Sequence, residues 1–115
     1  MIEPGEIYLF SDPSIPPHPV VVVAREELNR GDRVLVAIIT SAKFTVRSLM
    51  PNCAVLRQGQ FGMTKDCVVQ AETLFNAFLT DLDMASGPIG KLDDVAMRDV
   101  IRAIGYVMDA DCEPI

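Results

Sequence analysis

The residues of this chain best suited to chemistry are few. Thr40 and Ser41 stand just past the apolar run Arg33-Val34-Leu35-Val36-Ala37-Ile38-Ile39, and Lys43 and Arg47 follow close behind. Hydroxyls at the end of a buried strand lie at the rim of a sheet, where loops gather. Hydroxyls beside cations can hold a phosphate, although such pairs also form turns and caps. His18 is the single histidine. An imidazole exchanges protons near neutral pH. It lies in Ser11-Asp12-Pro13-Ser14-Ile15-Pro16-Pro17-His18-Pro19, which holds four of the eight prolines. The three cysteines, Cys53, Cys67 and Cys112, are widely spaced and form no CxxC pair. They fit no Cys/His ligand spacing and read as buried free thiols of a reducing cytosol. The sequence has no Gly-rich phosphate loop, nucleophile elbow or paired metal-ligand motif.

The net charge of −6 is opposite in sign to that of a typical nucleic-acid binder. Its distribution is uneven. From Arg33 to Lys65 there is no acidic residue, but there are Arg33, Lys43, Arg47, Arg57 and Lys65. From Cys67 onward nine acids face only Lys91, Arg98 and Arg102. A basic middle and an acidic end allow a local positive face on an acidic chain, or merely scattered solvated charges.

The elements that must carry these residues read as follows. A chain of 115 residues, half of them hydrophobic, fits one globular domain spanning 1–115. No apolar run reaches the roughly 18–20 residues that span a bilayer, and the acidic, Pro- and Gly-broken start is no secretory signal. A cytoplasmic protein without membrane association is expected. Glu6–Phe10 and Val20–Val23 are expected strands, the proline stretch between them an ordered loop. Ala24–Arg30 can make a short helical turn ended by Gly31-Asp32. Arg33–Ile39, Cys53–Arg57 and Cys67–Ala71 are further expected strands. Leu74–Leu82 is ambiguous between strand and helix, and Gly87–Leu92 is a short irregular or strand segment. Asp93 is a candidate N-cap for a helix with Met97, Val100, Ile101, Ile104, Val107 and Met108 on its apolar stripe. The fold class is therefore mostly β (α+β), a curled sheet closed by one C-terminal amphipathic helix.

The order of these segments resembles the MazF/PemK (Kid-like) toxin family over nearly the whole chain. Gly5-Glu6-Ile7-Tyr8-Leu9, Pro19-Val20-Val21-Val22-Val23 and Ile39-Thr40-Ser41 are the most specific marks. Gly62-Met63-Thr64-Lys65-Asp66-Cys67-Val68-Val69 and Ile89-Gly90-Lys91-Leu92 follow in the family's order. The resemblance implies an SH3-like or CcdB-like twisted small barrel, usually a homodimer. It implies a cofactor-free endoribonuclease and growth inhibitor that cleaves single-stranded RNA and is neutralised by a small antitoxin. In such cleavage the ribose 2′-oxygen attacks the adjacent phosphorus, which requires a base, an acid and donors for the phosphorane charge.

Residue by residue, the family hydroxyl of Ile-Thr-Ser maps to Thr40, with Ser41 beside it. His18 stands where the family's first loop carries an arginine, and that loop's glutamate is missing. The Val-Val-Arg-Cys-Asp pattern of some members corresponds to Val68-Val69-Gln70-Ala71-Glu72. Here Gln70 replaces the cation, and Glu72 supplies the carboxylate. The resemblance thus makes Thr40, His18 and Glu72 the catalytic candidates, and Ser41, Lys43, Arg47 and Lys65 the substrate-binding candidates, with no metal. Two other readings stay open. One is a module that binds RNA or an antitoxin-like peptide without cleaving. The other is a CcdB-like, gyrase-directed toxin, although Asp111-Cys112-Glu113-Pro114-Ile115 lacks the terminal aromatic of that type.

Overall fold

The computed structural model describes residues 2–29 and 31–109. In chain order the elements are β1 (Glu6–Asp12), β2 (Ile15–Val22), β3 (Arg33–Thr40), α1 (Phe44–Arg47), β4 (Cys53–Leu56), β5 (Cys67–Phe78), β6 (Gly90–Lys91) and α2 (Asp94–Val107). Single 3-10 turns cover Glu26–Leu28 and Leu79–Asp81. The strands form a six-stranded sheet in the order β4-β5-β3-β2-β1-β6. Every pairing in it is antiparallel.

Continuous β-branched runs make central strands buried on both faces. In β2, Val21 points to one face, with Ile7, Ala37, Ile39, Val69 and, from α2, Val100. Val20 and Val22 point to the other, with Tyr8, Phe10, Val34 and Val36. β5 is long because it pairs with β4 at its start and with β3 throughout. Its register against β3 slips between Val36 and Ile38. There Thr73 Oγ1 accepts from the Ile38 N–H at 2.9 Å and donates to Gln70 O at 2.7 Å, replacing the lost ladder bonds.

The sheet curls into a half-barrel whose two margins meet at a glycine seam. A Cβ on Gly90 of β6 would lie 1.9 Å from Phe61 O, in the loop after β4. A Cβ on Gly62, at φ +83°, would lie 2.4 Å from Ile89 O. Only glycine allows this approach.

The helix starts as expected: Asp93 Oδ1 accepts from the Ala96 N–H at 2.8 Å. Its buried stripe is narrower than the periodicity implies. Val100 and Ala103 are buried, Met97 and Ile104 partly so, while Ile101, Val107 and Met108 are exposed. Arg102, on the expected polar face, binds Pro51 O (2.8 Å), Cys53 O (3.1 Å) and Asp99 (2.8 Å), lashing α2 to the margin of β4.

One expectation needs correction, one open segment is resolved and one element is new. Ile15 to Pro19 is strand, not loop, because β2 runs back to a tight turn at Pro13-Ser14. Leu74 to Phe78 resolves as strand, before the turn at Leu79. The single turn α1 has no counterpart in the sequence reading. Of the cysteines, Cys53 and Cys67 are buried free thiols, and Cys112 lies outside the described residues.

Candidate active site

A missing hydrogen-bond donor opens the site. Leu9 O accepts from the Asp83 N–H at 2.9 Å, so the Leu9 carbonyl points away from β2. Leu9 and Pro19 are therefore a non-hydrogen-bonded pair, and the backbone nitrogen of Pro19 faces β3. Proline has no N–H to give there. The β2–β3 pairing accordingly ends at Val20 with Ile38. Beyond it the two strands part around a cleft of about 420 Å³.

Pro17, His18 and Pro19 form one wall of the cleft, and Ile39 to Ala42 the opposite wall. His18 lies two residues before Val20, and Thr40 two residues after Ile38. The register therefore puts both side chains on one face of the sheet. Thr40 Oγ1 accepts from the Ala42 N–H at 3.1 Å, which leaves its O–H to donate.

The remaining wall is the β4–β5 loop, with Met63, Thr64, Lys65 and Cys67. Its shape is fixed locally. Met63 is buried and donates its N–H to Gln60 O at 2.8 Å, and Gly59 N–H reaches Met63 O at 2.9 Å. Asp66 accepts from Gln58 N–H at 2.8 Å and sits 3.6 Å from Arg57. Burial, with a smaller contribution from Asp66, pushes the Cys67 thiol up to about 11. The Cys67 thiol is thus neutral at ordinary pH, and the charge of this wall comes from Lys65.

The cleft gathers His18, Thr40, Ser41 and Lys65. Thr64 lines it too and was missed in the sequence, although Thr64-Lys65 repeats the pattern of a hydroxyl beside a cation. Lys43 and Arg47 stand outside its lining. Lys43 takes a left-handed turn (φ 54°) before α1, and Arg47 Nη1 donates to Ala42 O at 3.1 Å, pinning the Ser41-Ala42 corner. Glu72 also lies outside the lining. Its carboxylate accepts from Asn52 Nδ2 at 2.8 Å and from Gln70 Nε2 at 3.4 Å. Arg33, at the opposite end of β3, covers the Phe78 ring at 4.5 Å and takes no part. The positive charge is therefore split between the two ends of the strand. No group of three or more metal-ligating side chains occurs among the described residues. No helix among them is long and apolar enough to cross a membrane.

No protein-family model matches the chain, and no curated protein matches it in sequence. Solved structures do. A mycobacterial endoribonuclease in complex with its cognate antitoxin superposes with a TM-score of 0.80 at 15% identity, covering 98% of this chain and 100% of that one. The Mycobacterium tuberculosis toxin MazF-mt6 gives 0.77 at 21% identity over 93% and 99%. A MazE-MazF structure from Deinococcus radiodurans gives 0.72 at 12% over 93% and 94%. The curled sheet, its helix and the order of its strands are those of the MazF toxins: this chain has the MazF fold.

Proposed function

We propose that the chain is a MazF-type toxin, an endoribonuclease that cleaves single-stranded RNA in the cleft beside Pro19. The observation that carries the reading is the convergence of His18, Thr40, Ser41, Thr64 and Lys65 in one cleft on this fold. His18 takes the proton of the 2′-hydroxyl, and the 2′-oxygen forms a bond to phosphorus. The Lys65 ammonium and the hydroxyls of Thr40, Ser41 and Thr64 hold the phosphate oxygens as negative charge builds on them. The bond to the 5′-oxygen then breaks, and the leaving oxygen takes a proton from the ammonium or from water. The products are a 2′,3′-cyclic phosphate and a 5′-hydroxyl. Glu72 has no place in these steps, since it lies outside the cleft lining. The proposed partners are a second copy of the chain and a small antitoxin, as the MazE-MazF complexes suggest, and the proposed compartment is the cytoplasm.

A non-cleaving RNA-binding module is the second reading. It is favoured by the lack of any carboxylate in the cleft lining to serve His18 as acid/base partner. One experiment separates the two. A long single-stranded RNA is incubated with the protein in EDTA, beside His18→Ala and Thr40→Ala. Cleavage to cyclic-phosphate ends is expected, slowed about 100-fold or more in His18→Ala, the usual scale for loss of a general base. Intact RNA with wild-type protein would reject the nuclease, and cutting by both variants at the wild-type rate would reject the roles of His18 and Thr40.

A further inference from the structure

The geometry points to a guanine-reading subsite beside the cleft, formed by Glu72 and Asn52 with Gln70. This inference rests on the RNA reading above and extends it to a base preference. Gln70 pairs with Ile38 and Val68 with Thr40, so Gln70 lies two residues along β5 from the level of the cleft. At the rise of a strand that is about 7 Å. Glu72 lies two residues further, about 13 Å from that level, within reach of a base two nucleotides from the one being cut.

One N–H of each amide is turned inward. Asn52 Nδ2 donates to Glu72 Oε1 at 2.8 Å, and Gln70 Nε2 to Glu72 Oε2 at 3.4 Å. Each amide nitrogen keeps a second N–H, but the group's side-by-side acceptor pair is the carboxylate. The exposed carboxylate has two oxygens, each with a lone pair left over, and the amides keep their own oxygens. The two amide contacts also fix the plane of the carboxylate, so little side-chain entropy is lost on binding. An acceptor pair of fixed geometry fits an edge that carries two adjacent donors. Guanine alone among the RNA bases has one, in N1–H and N2–H₂. Adenine and cytosine offer a single amino group beside an acceptor, and uracil offers a single imide N–H.

The edge of the cleft supplies a phosphate contact. Arg47, in α1, is held at the Ser41-Ala42 corner of the cleft by its bond to Ala42 O. Arg47 uses Nη1 on Ala42 O and keeps other N–H groups for a phosphate. The base then lies on Glu72, and the strand runs past Arg47 toward the cleft.

The test uses wild-type protein and 2′-O-methyl RNA octamers, which cannot be cut, with binding read by fluorescence anisotropy. Octamers containing guanine should bind about tenfold more tightly than the same sequences with inosine, which lacks the N2 amino group, as loss of part of a two-point base contact implies. In Glu72→Gln that ratio should fall to about one, because an amide presents only one acceptor. A thermal unfolding curve checks that this exposed substitution leaves the fold intact. Equal binding of guanine and inosine octamers overturns the subsite. So does a ratio that survives in Glu72→Gln, or a preference for another base. Cleavage of ordinary RNA is measured in parallel. Cutting without guanine preference removes the subsite and keeps the nuclease, whereas guanine preference without cutting removes the nuclease and keeps the subsite. Absence of RNA binding removes both.

Discussion

The fate of Glu72 shows how far single residues can be placed without coordinates. Thr40 and His18 were legible as candidates because their signals are local: a hydroxyl where an apolar strand stops, and an imidazole beside prolines. Their meeting depends on register, which the structure supplies. Glu72 depends on more. It lies within the slip of the β3–β5 ladder, between Gln70 and Phe75, and its partner Asn52 lies 20 residues earlier. No local pattern encodes that contact. The cysteines are simpler, since burial sets their chemistry. Burial raises both thiols, Cys67 to about 11, so the reactive thiolate is scarce at neutral pH. Iodoacetamide at pH 7.5 should leave Cys53 and Cys67 unmodified in the folded protein and label them once urea unfolds it. Peptide mass spectrometry reads the difference, and rapid labelling of the native protein would contradict the assigned burial.

At the scale of elements, proline was read as a breaker, but here it shapes a strand. The penalty of proline in a sheet falls only where its nitrogen should donate. In β2 that side faces solvent or the cleft, so the strand survives while its neighbour is shed. Composition cannot show which way a nitrogen points. Pro19→Ala restores the donor opposite Ile39. The β2–β3 ladder should then extend, with an amide at position 19 protected in hydrogen exchange, and RNA cleavage should slow as the cleft narrows. An unprotected amide and unchanged cleavage would show that Pro19 does not hold the cleft open. The start and span of the helix, by contrast, were legible, because its cap and its 3.6-residue period are local properties. Which apolar residues it buries was not, since Ile101, Val107 and Met108 are exposed. Asp93→Ala should cost about 1 kcal/mol in urea unfolding, the usual worth of an N-cap. Leu56→Ala, in a core position 1% exposed, should cost about 2–5 kcal/mol.

For the whole molecule, the shifted groups define a window of pH. Burial raises Tyr8 to about 12 and Cys67 to about 11, from ordinary values of 10.0 and 9.0. A raised value means that the folded state holds its proton more tightly than the unfolded chain does. The stability this contributes is complete below about pH 9 and is lost as pH rises through the folded values. Glu3, hydrogen-bonded and paired with Lys91, and Asp12, bonded to Ser14, are shifted the other way. Their contribution is present above the ordinary carboxylate range and is lost as pH falls through their lowered values. Urea midpoints should therefore be flat between about pH 6 and 8 and fall on either side. A midpoint still rising at pH 11 would contradict the alkaline assignment.

The glycine seam has a consequence in time. The β1–β3 hairpins and the β3–β5 pairing use only residues up to Phe78, so the ribosome can release them early. Ile89 and Gly90, which brace the loop bearing Thr64 and Lys65, are made after those strands. The wall of the cleft that carries its cation is thus completed last. A partly made chain can therefore pair its strands before it has the segment that braces the cleft.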